Sequence, residues 1–546
     1  MGLHYKMPLR IPTLLDMQSK IGQGAWENPS VFSFFPPEFS PPGAIEYSGL
    51  VAPEAMSLEK SDNILFLLDS YLSTIKFGIV DCYSMYSFEG WKHHYPFVCP
   101  TEEGDTSLSP ARISYEPQSI DSVDSIIDEL DLLLTSGRLQ GSTNRALIKN
   151  IIGPIMGTDV AKAVRAAQQL VVSTPEYHSN NLARKNESWR QKTASTTTSK
   201  APYRAVIVLV LFGGVDSWNM LVPTGQCSSV SDQYEEYATT RGTHAIPKSD
   251  ILPIISVGSN QTCSEYGVNK NLPILAELYN DNDAIIFANT GVLAKPMTKH
   301  DDWEGKSGFR PFAHNTMQKT FLTCDTYGNT PGTGVLGRIL DVVQSKGLKT
   351  SANNVNGGAT MLSGDISLGN QVNTISTIPP DTTSSTNALN KYPTVDNLLD
   401  HIKELNGKGE IDNSMLTEVW SSRVSSALFE HEQMQIIASI PEFVVSNYPV
   451  TSESALTSSF KSIAGYMKSH EYRNVNREAF VLSQTGFDAH RRNNLSKKLN
   501  VVNDALSAFV DWLKSESLWE STVIVQGSEF GRSLNPNSNN GSDHAW

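Results

Sequence analysis

Two hydrophobic rhythms divide this chain. Through Asp121–Thr135, apolar side chains fall at Val123, Ile126, Ile127, Leu130, Leu133 and Leu134, the i, i+3, i+4, i+7 spacing that turns one helix face to a core. Ser136-Gly137 supplies its stop. Ala161–Val172 repeats the helical pattern and Ser173-Thr174-Pro175 ends it, because a proline disfavours helical backbone in the residue before it. Beyond residue 200 the rhythm changes. Ala205–Phe212 is a continuous apolar run of strand length closed by Gly213-Gly214, the pattern of a strand buried on both faces. After it, helical stretches at Leu272–Asn280, Asn397–Leu405, Ser414–Ser439 and Leu495–Ser515 alternate with short apolar strands at Ala284–Ala288, Glu478–Ser483 and Thr522–Gln526. This alternation predicts an α/β architecture with a largely parallel sheet flanked by helices.

The change of rhythm coincides with a linker. Gln191–Lys200 reads QKTASTTTSK, polar and without period. The predicted division is therefore a mainly helical domain over 1–190, a linker over 191–200 and an α/β domain over 201–546. Pro29, Pro36, Pro37, Pro41 and Pro42 surround Val31, Phe32, Phe34, Phe35 and Phe39, which predicts a Pro-fixed surface segment laying aromatics onto helices. Asp365–Asn390, rich in Ser, Thr and Asn, reads as a surface insertion.

Composition narrows the function. At 546 residues the chain is long enough for two or three domains, and no run approaches the roughly 20 apolar residues that span a bilayer. The balance of 43 basic against 57 acidic residues gives a net charge of −14. That leaves no basic footprint for nucleic acid and no attraction to an anionic membrane surface. A small anionic substrate then requires a local positive centre such as a metal. The five cysteines, Cys82, Cys99, Cys227, Cys263 and Cys324, are too scattered for a disulfide scaffold or zinc ribbon. Cys227 can pair with Cys263 and Cys82 with Cys99, and the odd count leaves one thiol over. Asn-x-Ser/Thr tripeptides at Asn186, Asn260, Asn494 and Asn540 slightly favour a secretory or extracellular location. The first residues hold no continuous apolar signal-peptide core, and the compartment stays open.

Four polar clusters carry candidate chemistry, three of them just after an apolar strand, where open α/β sheets bind ligands. Gly213-Gly214-Val215-Asp216 follows Ala205–Phe212. Gly486-Phe487-Asp488-Ala489-His490 follows Glu478–Ser483. Gly527-Ser528-Glu529-Phe530-Gly531-Arg532 follows Thr522–Gln526, and Asn540-Gly541-Ser542-Asp543-His544 lies in a polar loop. Taken singly these also read as a helix-capping Asp, an exposed loop pair, a strand-end turn and a surface loop. Together, Asp216, Asp488, His490, Glu529 and His544 form an oxygen–nitrogen set suited to divalent metals.

FGGVDSWNMLVP, GFDAHRRN and SEFGRSLNPNSNNGSDHAW closely resemble the hallmark segments of the domain-of-unknown-function 1501 family, itself similar to the alkaline phosphatase and sulfatase superfamily. The resemblance covers about residues 200–546. It implies an alkaline-phosphatase-like core, one metal position held by Asp488, His490 and His544, and a second held by Asp216 and Glu529. The metal it implies is divalent: zinc first, with magnesium or calcium as alternatives. Residues 15–180, through Pro29–Phe39, Leu132–Leu139 and Ser173–Tyr177, resemble the later part of the helical domain-of-unknown-function 1800 family. Both family segments stop short, so the chain reads as a fragment of a longer fusion protein.

One position departs from the pattern. Phe312-Ala313-His314-Asn315-Thr316-Met317-Gln318 corresponds to a Ser-His run in the resembled family. The candidate nucleophile position is Ala313, whose methyl group cannot attack phosphorus or ligate a metal. The remaining catalytic candidates are Thr298, His314, Thr316 and Arg532, with Arg532 or Arg491-Arg492 as an anion clamp. The expected function is a metal-dependent hydrolase of phosphate or sulfate esters, weak or inactive at Ala313. The alternative is a non-catalytic binding or assembly protein, a pseudoenzyme that keeps the fold.

Overall fold

Arg204–Leu211 (RAVIVLVL) forms strand β1 of a five-stranded sheet, and its near-continuous apolar character follows from burial on both faces. The computed structural model describes residues 3–5, 58, 61–77, 111–113, 115–179, 201–228, 231–255, 263, 265–298, 312–327, 333–355, 358–364, 371–373, 395–407, 415–445, 447–449, 452–491 and 494–545. The Pro- and Phe-rich segment, the 191–200 linker and most of the 365–390 insertion lie outside these residues. The other strands of the sheet are β2 (Thr350–Asn354), β3 (Gln371–Asn373), β4 (Arg477–Gln484) and β5 (Thr522–Gly527). Their order is β3-β2-β4-β1-β5, and every pairing is parallel.

The alternation of side chains along β1 sorts them to two faces. Val208 and Val210 join Ala479, Val481, Leu322, Leu336, Leu340 and Met361 in one cluster. Ile207, Leu209 and Leu211 point the other way and are buried, on the face where the helices Ala455–Lys468 and Leu495–Ser515 pair through Phe460 and Phe509. Two polar side chains inside the sheet, Glu478 and Asn353, pair with one another. Glu478 on β4 accepts from Tyr203 at 2.7 Å and Asn353 at 2.7 Å, and forms an ion pair with Arg473 at 2.8 Å. The sequence TSANN of β2 shows no apolar run because its Asn353 is part of this network. The predicted strand Ala284–Ala288 is not formed: the segment joins no ladder, and Ile285 and Phe287 are exposed.

Contacts divide the chain into two units, Met1–Thr197 with Thr377–Ser439, and Thr198–Ser376 with Ile440–Trp546. This differs from the boundary expected at residue 200, because the chain returns to the helical unit after the sheet has begun. The helices Leu398–Leu405 and Met415–Ser439 place Leu398, Ile402, Leu405, Trp420, Val424 and Leu428 in one core with Leu68, Ile126, Ile127, Ile148 and Leu170. Hydrogen bonds fix the junction. Asn144 Nδ2 donates to the Leu405 carbonyl at 3.2 Å, and Asn406 Nδ2 donates to the Ser173 carbonyl at 2.9 Å. His178 stacks on Trp420 with ring centroids 3.5 Å apart.

Within that unit one expected core residue is displaced. The helix Val123–Leu130 continues as a π-helical turn over Asp131–Thr135, which adds a residue to the turn and shifts the phase of the following side chains. Leu133, expected in the core, is 61% exposed. Asp131 takes the buried position instead, and its Oδ1 accepts from the Leu139 amide at 2.8 Å and from the Thr135 hydroxyl.

Burial holds the His178 imidazole far below its ordinary value, at about 3, against the opposing bond to the Val172 carbonyl. Between pH 6.5 and 3 the unfolded chain therefore binds a proton that the folded one refuses. The His178 contribution to stability is complete above pH 6.5 and is lost as pH falls toward 3, by up to about 1.4 kcal/mol per pH unit. Urea unfolding across this window is expected to give a flatter pH slope for His178→Phe than for the unaltered chain; equal slopes would contradict the assignment.

Candidate metal centre

Three neighbouring strands, β4, β1 and β5, end side by side, and the loops that leave them carry the candidate residues. The loops touch at backbone level. The Phe487 amide donates to the Phe212 carbonyl at 3.1 Å. Gly213 has φ +118°, and a Cβ there would stand 2.3 Å from the Asp488 nitrogen. No L side chain fits that position.

Arg532 lies where these loops converge, and its side chain is completely buried. Nε donates to the Gly214 carbonyl at 2.8 Å and Nη1 to the Ser542 carbonyl at 3.0 Å, while Nη2 donates to the Gly213 carbonyl and to Asp488 Oδ1. The guanidinium expected to clamp a substrate anion is thus engaged by the protein itself. The Asp488 carboxyl, raised by burial, is brought below its ordinary value by the bond from Arg532 and by the nearby His490 and His314.

The loop from Gly531 to Ala545 folds back to return His544 to the strand ends. The Ser533 amide donates to the Asp543 carbonyl at 2.9 Å and the Ser542 amide to the Ala489 carbonyl at 2.9 Å. A Cβ on Gly541 would stand 2.3 Å from the His490 carbonyl carbon. This close approach brings His490 Nε2 and His544 Nε2 to 2.8 Å from one another. His544 donates from Nδ1 to the Phe312 carbonyl at 2.6 Å, and His490 Nδ1 faces Asp543 Oδ1 at 3.4 Å. With both Nδ1 atoms turned toward oxygen acceptors, the two rings point their Nε2 atoms at each other. Burial lowers the His544 pKa; the Phe312 bond opposes that, and the Arg532, His314 and His490 charges add to the lowering. Phe312 adopts φ +67°, a backbone conformation that is an outlier for a bulky residue.

Asp488 Oδ1 stands 3.4 Å from His490 Nε2 and 3.6 Å from His544 Nε2. Asp488 Oδ2 stands 3.6 Å from His314 Nε2, and His314, Asp488 and His544 offer ligand atoms all within 4.8 Å of one another. Facing Nε2 atoms with an adjacent carboxylate are stable only with a proton or a cation among them. The donor set of imidazole nitrogen and carboxylate oxygen, with protein acceptors holding the outer ring nitrogens, fits zinc.

The second position fits less well. Glu529, with its side chain fully buried, accepts at Oε1 from the Gly213 amide at 2.8 Å, His314 Nδ1 at 3.0 Å and Gln318 at 3.1 Å. Burial alone would raise its pKa; the bond from His314, its own amide, Gln318 and Gly213 bring it below the ordinary value. Its role here is to orient His314. Asp216 pairs through Oδ2 with the buried Arg241. Burial raises the Asp216 pKa against the pull of Arg241, Arg532 and His244. Asp216 is thus held by a guanidinium, and Glu529 Oε1 is taken up by three hydrogen-bond donors.

The geometry therefore brings together Asp488, His490, His544 and His314, with Glu529 and Arg532 as their supports, and sets Asp216 aside. Thr298 is exposed and Thr316 half-buried; neither enters the hydrogen bonds described above. Ala313 is the N-cap of the helix His314–Thr323, with no side-chain cap. Sequence reasoning missed Arg241, whose only signal is its charge at the end of the polar helix Gln233–Arg241, and the Phe312 carbonyl, which no side-chain pattern announces. Asp543 was visible only as the neighbour of His544.

Residues 470–546 match the family described as "Protein of unknown function (DUF1501)". That span holds Asp488, His490, Glu529, Arg532 and His544, but not Asp216 or His314. No curated protein and no solved structure matches the chain.

Gly541→Ala tests the loop packing. Its Cβ must displace the His490 backbone, so zinc affinity measured by chelator competition is expected to fall at least about tenfold, in the range of outer-shell losses at metal sites. Unchanged affinity would show that the approach of the two loops does not set the His490–His544 geometry.

Proposed function

We propose that the unit Thr198–Ser376 with Ile440–Trp546 is a metal-dependent hydrolase of phosphate or sulfate esters, on a core of the alkaline phosphatase and sulfatase kind. The observation that carries this reading is the pair of Nε2 atoms of His490 and His544 facing each other at 2.8 Å beside Asp488. In this reading Asp488, His490 and His544 hold the cation, zinc by its ligand chemistry or else magnesium or calcium, and leave an open position as catalytic sites require. A cation held there supplies Lewis acidity toward the ester oxygen and offsets charge on the leaving group.

The chain's own residues do the rest. Ala313 offers no hydroxyl, so water is the nucleophile. His314 is placed to activate it: Nδ1 is held by Glu529 at 3.0 Å, which leaves Nε2 as the proton acceptor. Water attacks phosphorus or sulfur as its proton passes to His314 Nε2, and the ester oxygen departs with the bond electrons. The start of the helix His314–Thr323 lies beside His314, and the positive end of its dipole favours the non-bridging oxygens. Arg532 acts upstream of all this by fixing Asp488.

A second reading has its own support. If His314 Nε2 also binds the cation, four protein ligands close the site, and Ala313 leaves no nucleophile. The protein is then a binding or assembly module with a structural metal. Hydrolysis of an aryl phosphate and an aryl sulfate by zinc-loaded protein separates the two. The hydrolase reading expects turnover without a covalent intermediate, a loss of about 10²-fold or more in kcat for His314→Ala, and near-complete loss for His490→Ala. No turnover, with zinc affinity reduced in His314→Ala, would favour the closed site.

A further inference from the structure

Arg532, one of the two anion clamps expected from the sequence, is engaged by three backbone carbonyls and Asp488. The other is Arg491, since Arg492 lies outside the described residues. Arg491 is exposed and makes no ion pair or hydrogen bond among the described residues. It lines a pocket of about 60 Å³ that adjoins the metal centre. Ala489, between Asp488 and His490, lies in the wall of this pocket, as does Ser542, two residues before His544. One water needs roughly 10–15 Å³, so the space takes a group of a few heavy atoms and not a ring.

Charge and hydrogen bonding define that group. Asp216 is the one acid on the lining. It pairs through Oδ2 with Arg241, and its other oxygen is enclosed, as is Arg241 Nε. That pair is neutral as a whole, and the positive charge left on the lining is that of Arg491. Ser542 is only 5% exposed, and its hydroxyl makes no hydrogen bond among the described residues. A buried hydroxyl without a partner is costly, and this one can donate to an oxygen placed in the pocket. His244 offers a ring N–H in either neutral tautomer and Asn540 an amide. A guanidinium with neutral donors around a small space recognises an oxyanion. In a chain of net charge −14, an anionic ligand requires such a local positive focus.

We propose that this pocket is a second anion subsite, which takes an oxyanion group of the ligand other than the one that meets the metal centre. Under the hydrolase reading, on which this role rests, the substrate is an ester carrying two anionic groups, and Arg491 and Ser542 select the second. The anion binding itself does not depend on that reading.

The first test uses the full chain stripped of metal by chelator, with inorganic phosphate as the probe and phosphorus NMR line broadening as the readout. The unaltered chain is expected to bind. Arg491→Ala is expected to weaken binding about tenfold or more, the loss that follows removal of a charged hydrogen-bond donor, and Arg491→Glu to abolish it. Ser542→Ala is expected to weaken it by a smaller factor. Because Arg491 is exposed and unpaired, its replacement leaves the fold intact, which circular dichroism verifies. No binding in the unaltered chain, or equal binding in Arg491→Ala, would overturn the subsite. The second test uses zinc-loaded protein and compares phosphoglycolate, which carries a carboxylate, with ethyl phosphate. The ratio of their kcat/KM values is expected to fall about tenfold in Arg491→Ala; an unchanged ratio would overturn the substrate role. If neither ester turns over, the hydrolase reading fails, while phosphate binding to the metal-free chain still stands or falls on Arg491.

Discussion

Three loops of the chain meet on the guanidinium of Arg532, and the candidate metal centre follows from how they meet. The group is planar, permanently charged and offers five donors in a fixed fork. Here four of its bonds go to the carbonyls of Gly213, Gly214 and Ser542 and to the Asp488 carboxylate. One rigid cation thereby sets the loop after β1, the loop after β4 and the returning loop of His544 in one arrangement. A buried charge is tolerated only when it is paired and its remaining protons are hydrogen-bonded, and this one is both. Lysine, a point charge with three donors on a flexible stem, cannot hold the same four acceptors.

The local costs around this centre all serve the same approach. Gly213 takes φ +118° and Gly541 sits against the His490 backbone, so that loops can close where side chains would block them. Phe312 adopts a left-handed conformation that costs of order 1–3 kcal/mol, and its carbonyl fixes the outer nitrogen of His544. Glu529 is held ionised by four donors and directs His314. Phe312 and Glu529 each fix one imidazole of the candidate site through a hydrogen bond, the means by which outer residues orient ligands in metal sites.

Much of the fold was legible because burial leaves a mark on sequence. The apolar runs at β1 and β4 and the period of the long helix Leu495–Ser515 mark buried faces, whereas β5 has an apolar run although its Val523 and Val525 are exposed. β2 was not legible, because Asn353 is buried by pairing with Glu478 across strands and not by being apolar. The return of Thr377–Ser439 to the helical unit was hidden for a related reason: helical period identifies the apolar face of a helix but not the surface it covers. At the site, the residue types at strand ends announced Asp488, His490, Glu529 and His544. What the sequence did not disclose was the division of labour. Whether a carboxylate meets a metal, an imidazole or a guanidinium is decided by partners far along the chain, as Arg241 is for Asp216.

The account rests on a cation between His490 and His544. X-ray absorption at the zinc edge of the full chain, loaded with one equivalent of zinc, tests this most directly. The account predicts imidazole scattering from two rings, or three if His314 closes the site, together with carboxylate oxygen at first-shell distances of about 2.0–2.2 Å. A first shell of oxygen alone, or a spectrum unchanged when both His490 and His544 are replaced by alanine, would contradict it.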